Sequence, residues 1–353
     1  MFESFGFETL TAPRAALYLA LALGGCFGFL AQRTRFCFRR ALIGEDRRAA
    51  MGLWLMALAV AVIGTQGAVA AGVISFEGHR FLSPDLPLGA IVFGGLIFGA
   101  GMVLARGCPA RLTVLAASGN LRAWMVLLVF AITAHATLKG VLSPLSSALS
   151  GLTLPVGQGA SLAWLPGGAM LWSVVFAILA LGAALRSGNR LRDLLGAGLL
   201  GALVPLGWVG TGFVLFDDFD PVALQSLSFA SPWTESLFFI IASSAVPAGF
   251  GAGLIGGTIL GGFMSALIGR EFALMSFSTP RQMVHYSFGG VLMGVGAVMA
   301  GGCTIGAGLS GLPAFSLSAL LTLVAITIGA LATNAAMQGE RSPGDLSGML
   351  TRS

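Results

Sequence analysis

The chain has 353 residues, of which 56% are hydrophobic and 9% charged, and its mean hydropathy is +0.91. So few charges cannot cover a water-facing surface, which excludes a soluble globular protein and predicts an integral membrane protein. The net charge of +5 is scattered over short loops with no stripe of basic and aromatic residues, which argues against nucleic acid as a partner.

The opening stretch, MFESFGFETLTAPRAALYLALALGG, places acids ahead of its apolar run and has no basic leader. The first span is therefore expected to be retained and not cleaved as a signal peptide. Runs near the roughly 20 apolar residues that cross a bilayer fall at about 15–31, 51–73, 88–105, 121–139, 168–185, 194–215, 237–268, 284–300 and 314–337. The seventh is too long, and its Pro247 and GFGAGLIGGTILGG predict a broken or strongly tilted helix in place of two full spans. Fifty-two glycines suit helices whose backbones approach closely inside a bilayer.

If nine spans alternate, sixteen of the nineteen basic residues share one side, among them Arg33, Arg35, Arg106, Arg111, Arg341 and Arg352. Arg14, Arg80, Lys139 and the acidic DDFDP at 217–221 fall on the other. The positive-inside rule then predicts an outside N-terminus and a cytoplasmic C-terminus.

Residues 93–108, FGGLIFGAGMVLARGC, and 288–303, FGGVLMGVGAVMAGGC, align without gaps at a spacing of 195, with nine of sixteen positions identical. Five crossings lie between the copies, so they enter the membrane from opposite sides as an inverted repeat, with halves at about 15–140 and 237–337 of a single domain, 1–353. In such an architecture the site lies near the midplane, where backbone leaves the helix only if it is buried in protein or lines a cavity. The Gly-Cys breaks at Gly107-Cys108 and Gly302-Cys303 are thus expected to mark re-entrant segments. Each precedes a short helix, beginning at Pro109 and at Thr304. Unpaired N–H groups at the helix starts and a weak S–H donor at each predict a small anion site. A third break, GFLAQRTRFCFRRALIG at 28–44, puts Cys37 at the cytoplasmic mouth, with Arg33 and Arg35 to draw anions in.

Together AQRTRFCFRRA, GCPARLTVLAASGNLRAW and AGGCTIGAGLSG resemble the YeeE/YedE family of bacterial membrane proteins, which includes thiosulfate transporters. The resemblance implies an all-α, pseudo-symmetric hourglass of nine membrane helices with short helices dipping inward. It implies inner-membrane thiosulfate uptake along a central path lined by Cys37, Cys108 and Cys303, and a separate small sulfur-carrier protein as partner. The chain departs from the family pattern at Pro109-Ala110-Arg111, toward the YedE side linked with other sulfur or selenium compounds. Cys26 matches no functional motif and is expected to be a small buried hydrophobe.

The competing readings are weaker. Isolated cysteines lack metal-ligand spacing, which disfavours a soft-metal transporter for Cu(I) and leaves no metal ligands to name. Without C-x-x-C or a cofactor fingerprint, a membrane thiol oxidoreductase is also disfavoured, so no enzyme and no cofactor are expected. His135 is expected to make an interhelical hydrogen bond and His285 to anchor at the cytoplasmic interface. A full countercharge at the midplane would be costly and would trap a dianion, so the thiols are expected to act protonated, as weak donors.

Overall fold

The structure is a computed structural model and describes residues 11–339 apart from residue 165 and residues 218–220. Asp218, Phe219, Asp220, Arg341 and Arg352, which entered the charge comparison, lie outside the described residues. Among the described residues, nine helical stretches are long and apolar enough to cross a membrane, and the chain is an all-α multi-pass membrane protein. A two-stranded ribbon, β1 (Asp85–Leu86) with β2 (Leu154–Pro155), pairs antiparallel in a connecting region.

The helices in chain order are α1 (Ala12–Thr34), α2 (Phe38–Ile43), α3 (Arg47–Ala70), α4 (Leu88–Leu104), α5 (Pro109–Ala117), α6 (Leu121–Lys139) and α7 (Ser143–Ser150). They continue as α8 (Gly168–Leu185), α9 (Leu191–Val209), α10 (Ser231–Ile241), α11 (Phe250–Ile268), α12 (Pro280–Met299) and α13 (Leu317–Gly339). The expected seventh span is divided. Residues 242–249, with Pro247, separate α10 from α11, and only α11 has the length of a crossing. The eleven residues of α10 reach roughly half a bilayer at 1.5 Å each. Its start is tied inward by Trp233 Nε1, which donates to Thr113 Oγ1 at 2.8 Å.

Glycine sets the packing. Between α1 and α11, Gly24, Gly28, Gly257 and Gly261 bring backbone against backbone, leaving no room for a Cβ. The antiparallel pair α4 and α12 shows a reciprocal pattern. Gly94 lies against Ala300 and Gly289 against Ala105, while Gly101 lies against Met293 and Gly296 against Phe98. Each contact becomes its partner when 195 is added to one number and subtracted from the other, the signature of a local two-fold axis.

Candidate functional site

Three helices end alike. At Arg35, Arg106 and Gly301 the backbone turns left-handed, with φ of 51°, 56° and 72°, and each stands two residues before a cysteine. At the first two, the turn residue's N–H reaches back three residues and the next N–H reaches back five, closing a Schellman motif. At Gly301 the N–H likewise reaches Val298 O, at 3.2 Å. After each turn the cysteine is extended and starts a new helical segment. The carbonyls of Cys37, Cys108 and Cys303 accept from the N–H four residues on, at 3.2, 2.9 and 2.8 Å. The helix expected at Thr304 is a π-helix, Thr304–Gly311, whose three glycines permit the wide turn.

All four cysteines are free. Cys108 is 2% exposed and Cys303 fully buried. The Cys303 sulfur accepts the Gly306 N–H at 3.4 Å, which leaves its own proton to give. Cys37 and Cys108 line one small cavity of about 10 Å³ with Phe27, Phe36, Phe38 and Ile305, space for one water at most. Ile305 comes from the segment after Cys303. The buried Thr304 hydroxyl from that same segment lies beside the Cys108 thiol, yet makes no hydrogen bond of ordinary geometry. The structure thus brings Cys37 and Cys108 to one small cavity, with a wall residue from the segment that follows Cys303. Gly107 and Pro109 are buried at the start of α5, and Gly302 lines a 70 Å³ cavity with Arg80 and Ser228.

A vestibule lies on either side. On the face where α1 ends, a cavity of about 620 Å³ is lined by Arg33, Arg35, Arg40, Arg192, Asp193 and Glu271. Arg33 and Arg35 both line it. Arg35 lies 4.0 Å from Glu271, which accepts from Gln32 Nε2 at 2.8 Å. Nearby, the bidentate contact of Arg40 holds Asp46 below the usual carboxylate range.

On the opposite face a cavity of about 410 Å³ is lined by His79, Arg80, Trp208, Gln225, Ser228 and Glu235, and its floor includes Gly306 and Ser310. Arg80 borders this cavity and two smaller ones, and its Nη1 donates to Gly301 O at 3.2 Å. Glu235 opens onto the cavity but is otherwise surrounded by protein, which raises its pKa above the ordinary range. His79 packs edge-on against Phe76 and Trp208 and tilted against Phe81, and burial, with Arg80 beside it, lowers its pKa to about 4. Its Nδ1 accepts the Phe81 N–H at 3.2 Å, so the neutral ring has a structural task.

Several expectations need correction. A full positive charge does stand at the thiols, because the half-buried Arg111 lines the cavity of Cys37 and Cys108. An arginine three residues beyond Cys108, on the short helix expected at Pro109, was the available signal. Cys26 is exposed, not buried: α1 turns Gly24 and Gly28 to α11, which leaves position 26 on the outer surface. His135 meets its neighbour through the Phe238 ring, with centroids 4.6 Å apart. Arg80, Ser228 and Glu235 carry no motif, and only the packing of two connecting segments with the start of α10 brings them together.

The sequence profile of the family described as Sulphur transport matches residues 33–332. The chain is 29% identical over 333 residues to a protein of Spirochaeta thermophila named thiosulfate transporter TsuA, covering 89% of this chain and 96% of that one. It is 28% identical over 315 residues to the thiosulfate transporter TsuA of Escherichia coli, covering 82% and 85% respectively.

Proposed function

We propose that this chain, which belongs to the Sulphur transport family, takes up thiosulfate or a related sulfur anion across the bacterial inner membrane, past the thiols of Cys37, Cys108 and Cys303. The observation that carries this reading is that Cys37 and Cys108 line one small buried cavity while arginine borders two larger cavities, one on each face. The matching turns before Cys108 and Cys303 and the reciprocal glycine contacts support two inverted halves, about 15–140 and 237–337, in a single hourglass-shaped domain.

In this reading the His79 and Arg80 vestibule opens outward, and the Arg33 and Arg35 vestibule opens to the cytoplasm. The basic loops favour that orientation, with the N-terminus outside and the C-terminus inside. The anion descends over Ser228 and Gly306 to Cys303, then past Thr304 and Cys108 to Cys37. Gly107, Pro109 and Gly302 shape the backbone of the two breaks. A neutral S–H turns toward the soft terminal sulfur, whereas a thiolate would repel the dianion. On the cytoplasmic side a separate small sulfur-carrier protein receives the anion.

Uptake of radiolabelled thiosulfate by cells or proteoliposomes, with sulfate, sulfite, sulfide and selenium anions as competitors, tests the reading. Thiosulfate should be accumulated and should be the strongest competitor. A protein that imports sulfide or a selenium anion and ignores thiosulfate rules the substrate out.

A further inference from the structure

We propose that Arg111 is a substrate-holding and specificity-determining residue, its guanidinium binding the oxygen end of a small oxoanion while the Cys37 and Cys108 thiols meet the sulfur end. This rests on the thiosulfate reading above for the identity of the anion, and on geometry for the site.

Cys108 caps α5 and Arg111 follows one turn later, so both side chains reach the same region. Both line the thiol cavity, and Arg111 Nη1 is buried with no hydrogen-bond partner. Unpaired buried donors on a charged group are costly, and one carried by a residue that lines a cavity is explained by an acceptor that enters there. Protein carboxylates do not fill that role. Among the described residues, the ion pairs join Arg35 to Glu271, Arg40 to Asp46 and Arg192 to Asp193. The rim of the vestibule is thus partly neutralised, while the innermost arginine keeps its charge.

Arg35 and Arg40 lie within electrostatic reach of Arg111 and strengthen the positive field there. A planar guanidinium fork matches two oxygens of a sulfonate-type head, and a neighbouring thiol matches sulfur. Thiosulfate presents both ends. Hydrosulfide has no oxygen for the fork, and a site built to hydrogen-bond an oxygen discriminates strongly against a ligand without one. The second half cannot supply the same group, because the position equivalent to Arg111 is Gly306, packed against Ser228. There the guanidinium comes from Arg80 of a loop. At about 10 Å³ the cavity is too small for the anion, so its wall of Phe27, Phe36, Phe38 and Ile305 must part to admit it.

The test uses the full chain in lipid nanodiscs and proteoliposomes, comparing wild type, Arg111→Gln, Arg111→Lys and Arg281→Gln for binding and uptake of thiosulfate, sulfate, sulfite, selenite and hydrosulfide. Arg111→Gln should weaken thiosulfate binding at least tenfold and remove the preference for thiosulfate over hydrosulfide. Arg111→Lys, with charge but no fork, should fall between, and Arg281→Gln, at an exposed arginine at the start of α12 that lines none of these cavities, should change affinity less than threefold. Should Arg111→Gln fail to fold, Arg111→Lys decides: unchanged affinity and selectivity overturn the proposal. If wild type ignores thiosulfate but binds another oxoanion in an Arg111-dependent way, the substrate reading fails and the Arg111 site stands. Binding of every oxoanion unaffected by Arg111, or no oxoanion binding at all, overturns it.

Discussion

Arg106 and Gly301, 195 residues apart, occupy the same left-handed turn, each two residues ahead of a buried cysteine and each donating its N–H to the carbonyl three residues back. The shared geometry has unequal cost. An L-residue in this conformation loses about 1–2 kcal/mol, whereas glycine adopts it freely. Nothing lies within 4 Å of a Cβ placed at Gly301, so Gly301→Ala should pay the conformational cost alone, about 1–2 kcal/mol in thermal unfolding. Arg106→Gly should have the opposite sign, about 1 kcal/mol or less of stabilisation. Equal effects of the same sign would contradict the shared turn.

The α4–α12 contact makes a second prediction about symmetry. A Cβ at Gly94 would lie 2.5 Å from Ala300 N and one at Gly289 2.7 Å from Ala105 N. At Gly101 and Gly296 the distances are 2.7 Å to Met293 N and 2.5 Å to Phe98 N. Backbone on the far side cannot swing away as a side chain would, so alanine at each should cost about 1–3 kcal/mol. Within each reciprocal pair the losses should agree to about 0.5 kcal/mol, measured as unfolding midpoints in detergent. A large loss at Gly94 with none at Gly289 would mean the two helices do not share an axis.

These two relationships also mark how far the fold was legible before its coordinates. The spans were, because about 20 apolar residues have few alternatives to crossing a bilayer. The alignment of 93–108 with 288–303 was legible because close glycine contacts constrain residue type on both sides of the interface. The turn at Arg35 was not, since arginine does not advertise a left-handed φ as glycine does. Nor was the vestibule of Arg80 and Glu235, which depends on how the loop before α4 and the segment before α10 fold inward. Arg111 was visible on the short helix expected at Pro109, but its place beside Cys37 was not, because that depends on how the break at 28–44 folds against α5.

His79 leads to a pH effect of definite sign. Its pKa falls from about 6.5 unfolded to about 4 folded, so between those values the unfolded chain binds the extra proton. Its contribution to stability is complete above about pH 6.5 and is lost as pH falls toward 4. Allowing for its partial exposure, the loss should be roughly 1–2 kcal/mol. His79→Gln should lower stability at pH 7.5 and flatten the decline between pH 6.5 and 4. An unchanged slope in that variant would assign the acid sensitivity elsewhere.

The orientation proposed for the two vestibules is testable by reporters. Fusions after residues 44 and 190 should be active in the cytoplasm, and a fusion near residue 85, in the loop that holds the outer vestibule, should be active outside. The same assignment places the mouth of Arg33 and Arg35 inside. Cytoplasmic activity of the residue 85 fusion would reverse the path and make the Arg80 vestibule the exit.

The last prediction separates a thiol that donates from one that must be sulfur. Cys303 Sγ accepts the Gly306 N–H and so caps the π-helix while its proton remains available. Serine keeps both functions: a hydroxyl oxygen is a good cap, and its O–H is a stronger donor. It cannot form a thiolate or a sulfur–sulfur bond. Cys303→Ser should therefore fold as well as wild type and retain measurable but reduced thiosulfate uptake, above that of Cys303→Ala. Cys108→Ala should be as severely impaired as Cys303→Ala, and Cys26→Ala, on the outer surface of α1, should transport normally. If serine and alanine at 303 are equally inactive in folded protein, hydrogen-bond donation is not enough, and passage depends on sulfur itself at that position.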